Sequence, residues 1–216
     1  MNFPSLQTIV MSIPGVVIGF AFHEFAHAWV ATWFGDDTPR AQGRVTLNPM
    51  AHLDPLGTIL LLLGAFGWAK PVQINLNRVK PRVLGDIAIS LAGVTMNFLL
   101  AVLFFFLAFL AQAGVFGFQH EVLSLTLVQV GWMNTIMVGF NLIPLPPFDG
   151  FHVVKYLFPA GSSELVAKLY QFGPYIVILL FLTDIADRFL DPVYEGLLTA
   201  AMGIARPVAL WLISLF

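Results

Sequence analysis

Residues 23–27 read His-Glu-Phe-Ala-His, an H-E-x-x-H pattern. On a helix, positions four apart lie on one face, so His23 and His27 can reach a single ion. Imidazole nitrogens at that spacing suit Zn2+, with bonds of about 2.0–2.1 Å. Glu24 stands beside His23 and can act as general base toward a water activated at the metal. The chemistry indicated is hydrolysis. The competing reading is a helix end whose polar residues simply meet water. Three ionisable groups within an apolar stretch are costly, and that cost favours a functional role.

The chain has no cysteine, which excludes thiolate ligands and disulfides. A catalytic zinc usually takes three protein ligands and keeps one position open. Asp149, in Pro-Pro-Phe-Asp-Gly-Phe at 146–151, is a candidate third ligand. Gly150 would let the backbone approach closely there. Asp-Gly also marks ordinary turns, so the pattern alone leaves both readings open. His152 follows three residues later and is expected to support the centre from outside the ligand set. His52 and Asp54 form another constellation. His52 could orient the site as an outer partner, whereas Asp54 before Pro55 suits the cap of a helix. His120 is expected in solvent. Asn97 and Asn141 are polar residues in apolar surroundings, where an interhelical hydrogen bond is the ordinary explanation.

The elements that must hold these residues are set by composition. Of 216 residues, 58% are hydrophobic and 10% charged, with a mean hydropathy of +0.86. Soluble domains carry roughly 25% charged residues, so the surplus apolar surface must face lipid. The net charge of −2 argues against nucleic-acid binding. The N-terminus lacks a basic stretch, so no cleaved signal peptide is expected. A spanning helix needs about 20 apolar residues. Residues 5–34, 87–112, 122–143 and 196–216 qualify, the second bounded by Asp86, and 169–183 is a shorter run. Residues 55–67 are too short to cross comfortably and are expected to dip in and return. The polar pieces at 40–47 and 70–78 read as short strands near the surface. The fold expected is an all-α polytopic membrane protein of about five to six transmembrane helices, with a re-entrant segment and short surface β-strands. One domain is expected over 1–216, with its core at 5–158 and C-terminal helices at 169–216. Arg206 in the last span needs a partner or a wet cavity, with Asp191 and Glu195 as the nearest acids.

If 55–67 returns to its side of entry, the H-E-x-x-H motif and Asp149 fall at the same membrane face. Arg40, Arg44, Lys70, Arg78, Lys80, Arg82, Lys155 and Lys168, eight of the ten basic residues, fall on that side. The positive-inside rule then places it in the cytoplasm.

Together, the first motif, the segment GRVTLNPMAHLDPLGT, then LAGVTMNFLLA, then NLIPLPPFDGFH resemble the site-2 protease family of intramembrane metalloproteases. The likeness is to compact bacterial and archaeal members without PDZ or CBS domains, and it covers about residues 15–158. It implies one Zn2+ per chain held by His23, His27 and Asp149, with Glu24 catalytic. It also implies a substrate or oxyanion role for Asn97, with Asn141 open to the same reading. Val94 stands where the family's third-span motif has Pro, and Phe148 where Leu is usual. The implied activity is cleavage of peptide bonds within transmembrane protein substrates in a prokaryotic cell membrane. The lipid bilayer is a second partner, and the oligomeric state is left open. Two rivals are a membrane metal-binding or transport protein, which would not need Glu24, and an inactive member that only binds helices.

Overall fold

The computed structural model describes residues 5–63, 67–115, 121–159, 162–183 and 185–215. His120 and part of the 55–67 run lie outside the described residues.

Helix α1 spans Leu6–Trp33 and starts where the Ser5 hydroxyl accepts the Thr8 N–H, at 3.1 Å. Helix α4 spans Arg82–Gln112 and α5 spans Glu121–Asn141. Helix α8 spans Ile185–Ile213. Among the described residues, these four helices contain stretches long and apolar enough to cross a membrane. Helix α7, Ser163–Phe181, is outside that set. It carries Glu164 and Lys168 near its start, which shortens its apolar stretch below the roughly 20 residues a crossing needs. Helix α4 runs unbroken through Gly93 and Val94.

Helices α1, α4 and α5 pack on one another, and α8 lies against α4 and α5. Val16 and Phe20 of α1 meet Met133 and Met137 of α5, joined by Leu61. On another flank of α4, Ala101 and Phe105 pack on Ala201 and Ala205 of α8. Half of the apolar window of α1 and of α5 is buried, against 17% for α8, so α8 is peripheral. Arg206, Asp191 and Glu195 are all exposed on α8.

Leu61 belongs to α3, Pro55–Leu62, which is capped as its sequence foretold. The Asp54 side chain accepts the Gly57 N–H at 2.8 Å, and Pro55 fills the first turn. At 1.5 Å per residue the eight residues of α3 cover roughly 12 Å, far short of a bilayer core. The chain then returns: Lys70 N–H donates to the carbonyl of His52 at 2.8 Å. Entry and exit of the excursion are therefore neighbours.

The strands expected at 40–47 and 70–78 are not formed among the described residues. Thr38–Ala41 is a short helix, α2, and residues 68–75 follow an irregular path. The physical reason lies in where the backbone donors go. Lys70 N–H goes to His52, Val72 N–H to the Glu24 carboxylate, and Asn75 N–H to buried Asp36. Donors engaged by three separate partners are not available to a neighbouring strand.

Candidate metal centre

Helix α1 presents His23, Glu24 and His27, all buried. Asp149 opens α6, Asp149–Val154, a six-residue helix just after the Pro-rich turn that ends α5. The Asp149 Oδ2 atom lies 3.2 Å from Nε2 of both histidines, and the two Nε2 atoms are 2.9 Å apart. The two polar clusters of the sequence thus converge at one point.

The outer ring nitrogens settle which way the imidazoles face. His27 Nδ1 is 2.7 Å from the carbonyl of Ile89, which can only accept. His23 Nδ1 is 2.6 Å from Oδ1 of Asn97. The orientation of that amide follows from a chain of donors. Asn97 Nδ2 donates to the Gly19 carbonyl and to Asn134 Oδ1, and Asn134 Nδ2 donates to the Val130 carbonyl. Each Nδ1 therefore carries the proton, and each Nε2 in the neutral ring presents a lone pair.

Asp149 Oδ2 is buried and accepts no hydrogen bond. In that tautomer an anionic oxygen and two imidazole lone pairs face one another, an arrangement that is repulsive unless a proton or a metal cation lies among them. Two neutral imidazoles and one carboxylate are a donor set that fits a divalent ion of zinc type, with a position left for water or substrate.

Glu24 stands outside this trio. Its Oε2 accepts the Val72 N–H at 2.8 Å and lies 4.0 Å from Arg44 Nη2. Arg44 is in turn bonded to the carbonyls of Lys70 and Pro71. His52, fully buried, contacts Arg44 Nη2 through Nδ1 at 3.4 Å and donates from Nε2 to the Thr46 carbonyl. Its imidazole is held below its ordinary value, first by burial and further by Arg44. His52 thus touches Arg44, which itself lies beside Glu24, and is not one of the converging trio.

His152 places Nδ1 3.1 Å from Asp86 Oδ1 and is not part of the converging trio. Asn141 donates to the Met137 carbonyl and lines the cavity that contains the trio. Asn97 is fully buried behind His23 and does not line it. The cavity measures about 580 Å³. Its apolar walls include Phe20, Leu61, Met137 and Phe140.

Reasoning from sequence missed several contributors. Gly93 is one: a Cβ there would lie 2.5 Å from His23 Cε1 and from His27 Nε2. Asn134 had a legible signal, being an amide inside an apolar span. Arg44 and Asp86 were read only as topological charge and as a span boundary. The Ile89 carbonyl and Val72 amide have no signature in side-chain types.

Residues 11–124, more than half the chain, match peptidase family M50, whose members are the site-2 proteases. The chain belongs to peptidase family M50. Several M50 relatives bear the name "Putative zinc metalloprotease". YwhC of Bacillus subtilis is 39% identical over 186 residues, 84% of each chain. Rip2 of Mycolicibacterium smegmatis is 29% identical, spanning 86% of this chain and 72% of its own. MJ0611 of Methanocaldococcus jannaschii is 32% identical, spanning 72% of this chain and 74% of its own. No solved structure matches the chain. An M50 member with four helices of membrane-crossing length and character is an integral membrane protein of a metalloprotease family.

Proposed function

We propose that this chain is an intramembrane zinc metalloendopeptidase that hydrolyses peptide bonds in or near the transmembrane segments of other membrane proteins. His23, His27 and Asp149 are its metal ligands and Glu24 its general base. The observation that carries the reading is the convergence of three possible ligand atoms, from His23, His27 and Asp149, on one point of a cavity that Glu24 also lines.

Zinc held there would polarise a carbonyl and acidify water. The remaining work belongs to the chain. Asn97 and the Ile89 carbonyl hold the proton on each Nδ1, so both Nε2 atoms stay available as donors. Glu24 takes the proton released by the attacking water and delivers it to the leaving amine. The Val72 amide fixes the Glu24 carboxylate through Oε2 and leaves the other oxygen for that transfer. A helical substrate hides its carbonyls in hydrogen bonds, so it must unwind locally before attack. Residues of the irregular run at 68–75, among them Trp68, Val72 and Ile74, line the cavity and border the space that an unwound segment would enter.

Co-expression with candidate single-span proteins tests the activity. The intact chain should generate truncated products, and Glu24→Gln should generate none while retaining zinc, because Glu24 is not a ligand. Full cleavage by purified, metal-loaded Glu24→Gln would sink the mechanism.

A further inference from the structure

Asp86 is buried near the start of α4, and neither the metal trio nor the proton transfer uses it. Isolated buried carboxylates are costly, so its partners indicate what it does. All three come from one short segment. His152 Nδ1 lies 3.1 Å from Oδ1, the Tyr156 hydroxyl donates to Oδ2 at 2.6 Å, and the Lys155 ammonium pairs with Oδ2. That segment is α6 and the single turn after it, and α6 begins with Asp149.

A six-residue helix does not hold its own shape or orientation. Its placement must come from outside. Gly150 sets its distance from the end of α5, since a Cβ there would lie 2.6 and 2.8 Å from the carbonyls of Leu142 and Ile143. Distance alone leaves rotation about the helix axis free. Residues 149, 152 and 156 fall at spacings of three and four, on one face. Asp86 grips that face at 152 and 156, which turns 149 toward the histidines.

The same side of α4 holds the other ligands. One turn beyond Asp86 the Ile89 carbonyl holds His27, the next turn brings Gly93 against both imidazoles, and the next brings Asn97 to His23. Positions 86, 89, 93 and 97 recur at helical spacing. Helix α4 is thus the reference against which the ligands from α1 and α6 are aligned.

We propose that Asp86 is a positioning residue for the metal centre, fixing the rotation of α6 through His152, Lys155 and Tyr156 so that Asp149 completes the ligand set. This rests on the metalloprotease reading above, and its test separates the two. Full-length chain in detergent is titrated with zinc against a chelator, and with Co2+ as a spectroscopic probe, for the wild type, Asp86→Asn and Tyr156→Phe. Thermal melting of each metal-free protein is measured alongside. Zinc affinity should fall roughly 10–100-fold in Asp86→Asn and less in Tyr156→Phe, the scale expected for partners that orient ligands. Saturating zinc should restore one ion per chain, and the Co2+ spectrum should depart from that of the wild type. Unchanged zinc affinity and an unchanged Co2+ spectrum, with only the melting point lowered, would overturn the proposal and leave Asp86 a fold contact. If Asp86→Asn cannot be purified folded, Tyr156→Phe decides by the same two readouts. A wild type that binds neither ion would instead refute the metalloprotease reading.

Discussion

The amide oxygen of Asn97 accepts the Nδ1 proton of His23 at 2.6 Å, from a position fully buried behind the ring. The contact fixes a tautomer. Replacing Asn97 with Leu frees the imidazole to rotate or to carry its proton on Nε2. Zinc affinity should drop roughly 10–100-fold. Asn134→Leu, one step further out, should produce a smaller drop in the same direction. Chelator competition on the purified variants measures both, and equal affinities across the series would remove Asn97 from the role of ligand orienter.

Gly93 makes a steric prediction. A methyl group there would press on His23 Cε1 and His27 Nε2, and both belong to rings held in place by buried partners on the same helix, Asn97 and the Ile89 carbonyl. Gly93→Ala should lower metal content well below one per chain and abolish cleavage. Gly203→Ala, on α8 with nothing within 4 Å of the added carbon, is the control and should leave both unchanged. Metal analysis by mass spectrometry distinguishes the two.

The third ligand can be tested against its neighbours. Asp149→Ala and His23→Ala should each fall well below one zinc per chain. His52→Ala and His152→Ala should still fill at saturating zinc, since neither residue belongs to the converging trio. Retention of zinc by Asp149→Ala together with its loss from either histidine variant would assign the ligand elsewhere.

The side of the membrane is open to labelling. The site should face the cytoplasm, because eight of ten basic residues fall on its side. The chain has no native cysteine to interfere. Single cysteines at exposed positions 40, 78, 121 and 168 can be probed in intact cells with an impermeant thiol reagent. Only position 121 should react before permeabilisation. Reaction at 78 without reaction at 40 would mean that the excursion between them crosses the bilayer.

The reach of sequence reasoning follows the kind of interaction involved. The long helices were legible because apolar length is a local property, and the Asp54 cap because Asp before Pro has one strong local use. His23 and His27 were legible because ionisable groups within an apolar span stand out by their cost, whereas the pattern around Asp149 left ligand and turn open and the family resemblance pointed to it. The strands at 40–47 and 70–78 were misread for the opposite reason. Their β-leaning composition is real, but a strand also needs a partner, and here Glu24, Asp36 and the His52 carbonyl take the donors. Asp86 was visible as a charge at the start of a span; that it grips the segment beginning at Asp149 depends on contacts more than sixty residues apart.

Two of the contacts that aim this centre are made by the main chain: the Ile89 carbonyl to His27 and the Val72 amide to Glu24. They are consequently robust to mutation. Any side chain of tolerable size at 72 or 89 keeps them, and at 72 only proline, which has no amide proton, deletes one outright. Those two contacts depend on the path of the backbone, while the side chains at 72 and 89 are constrained separately, by the cavity they line and, at 89, by the core.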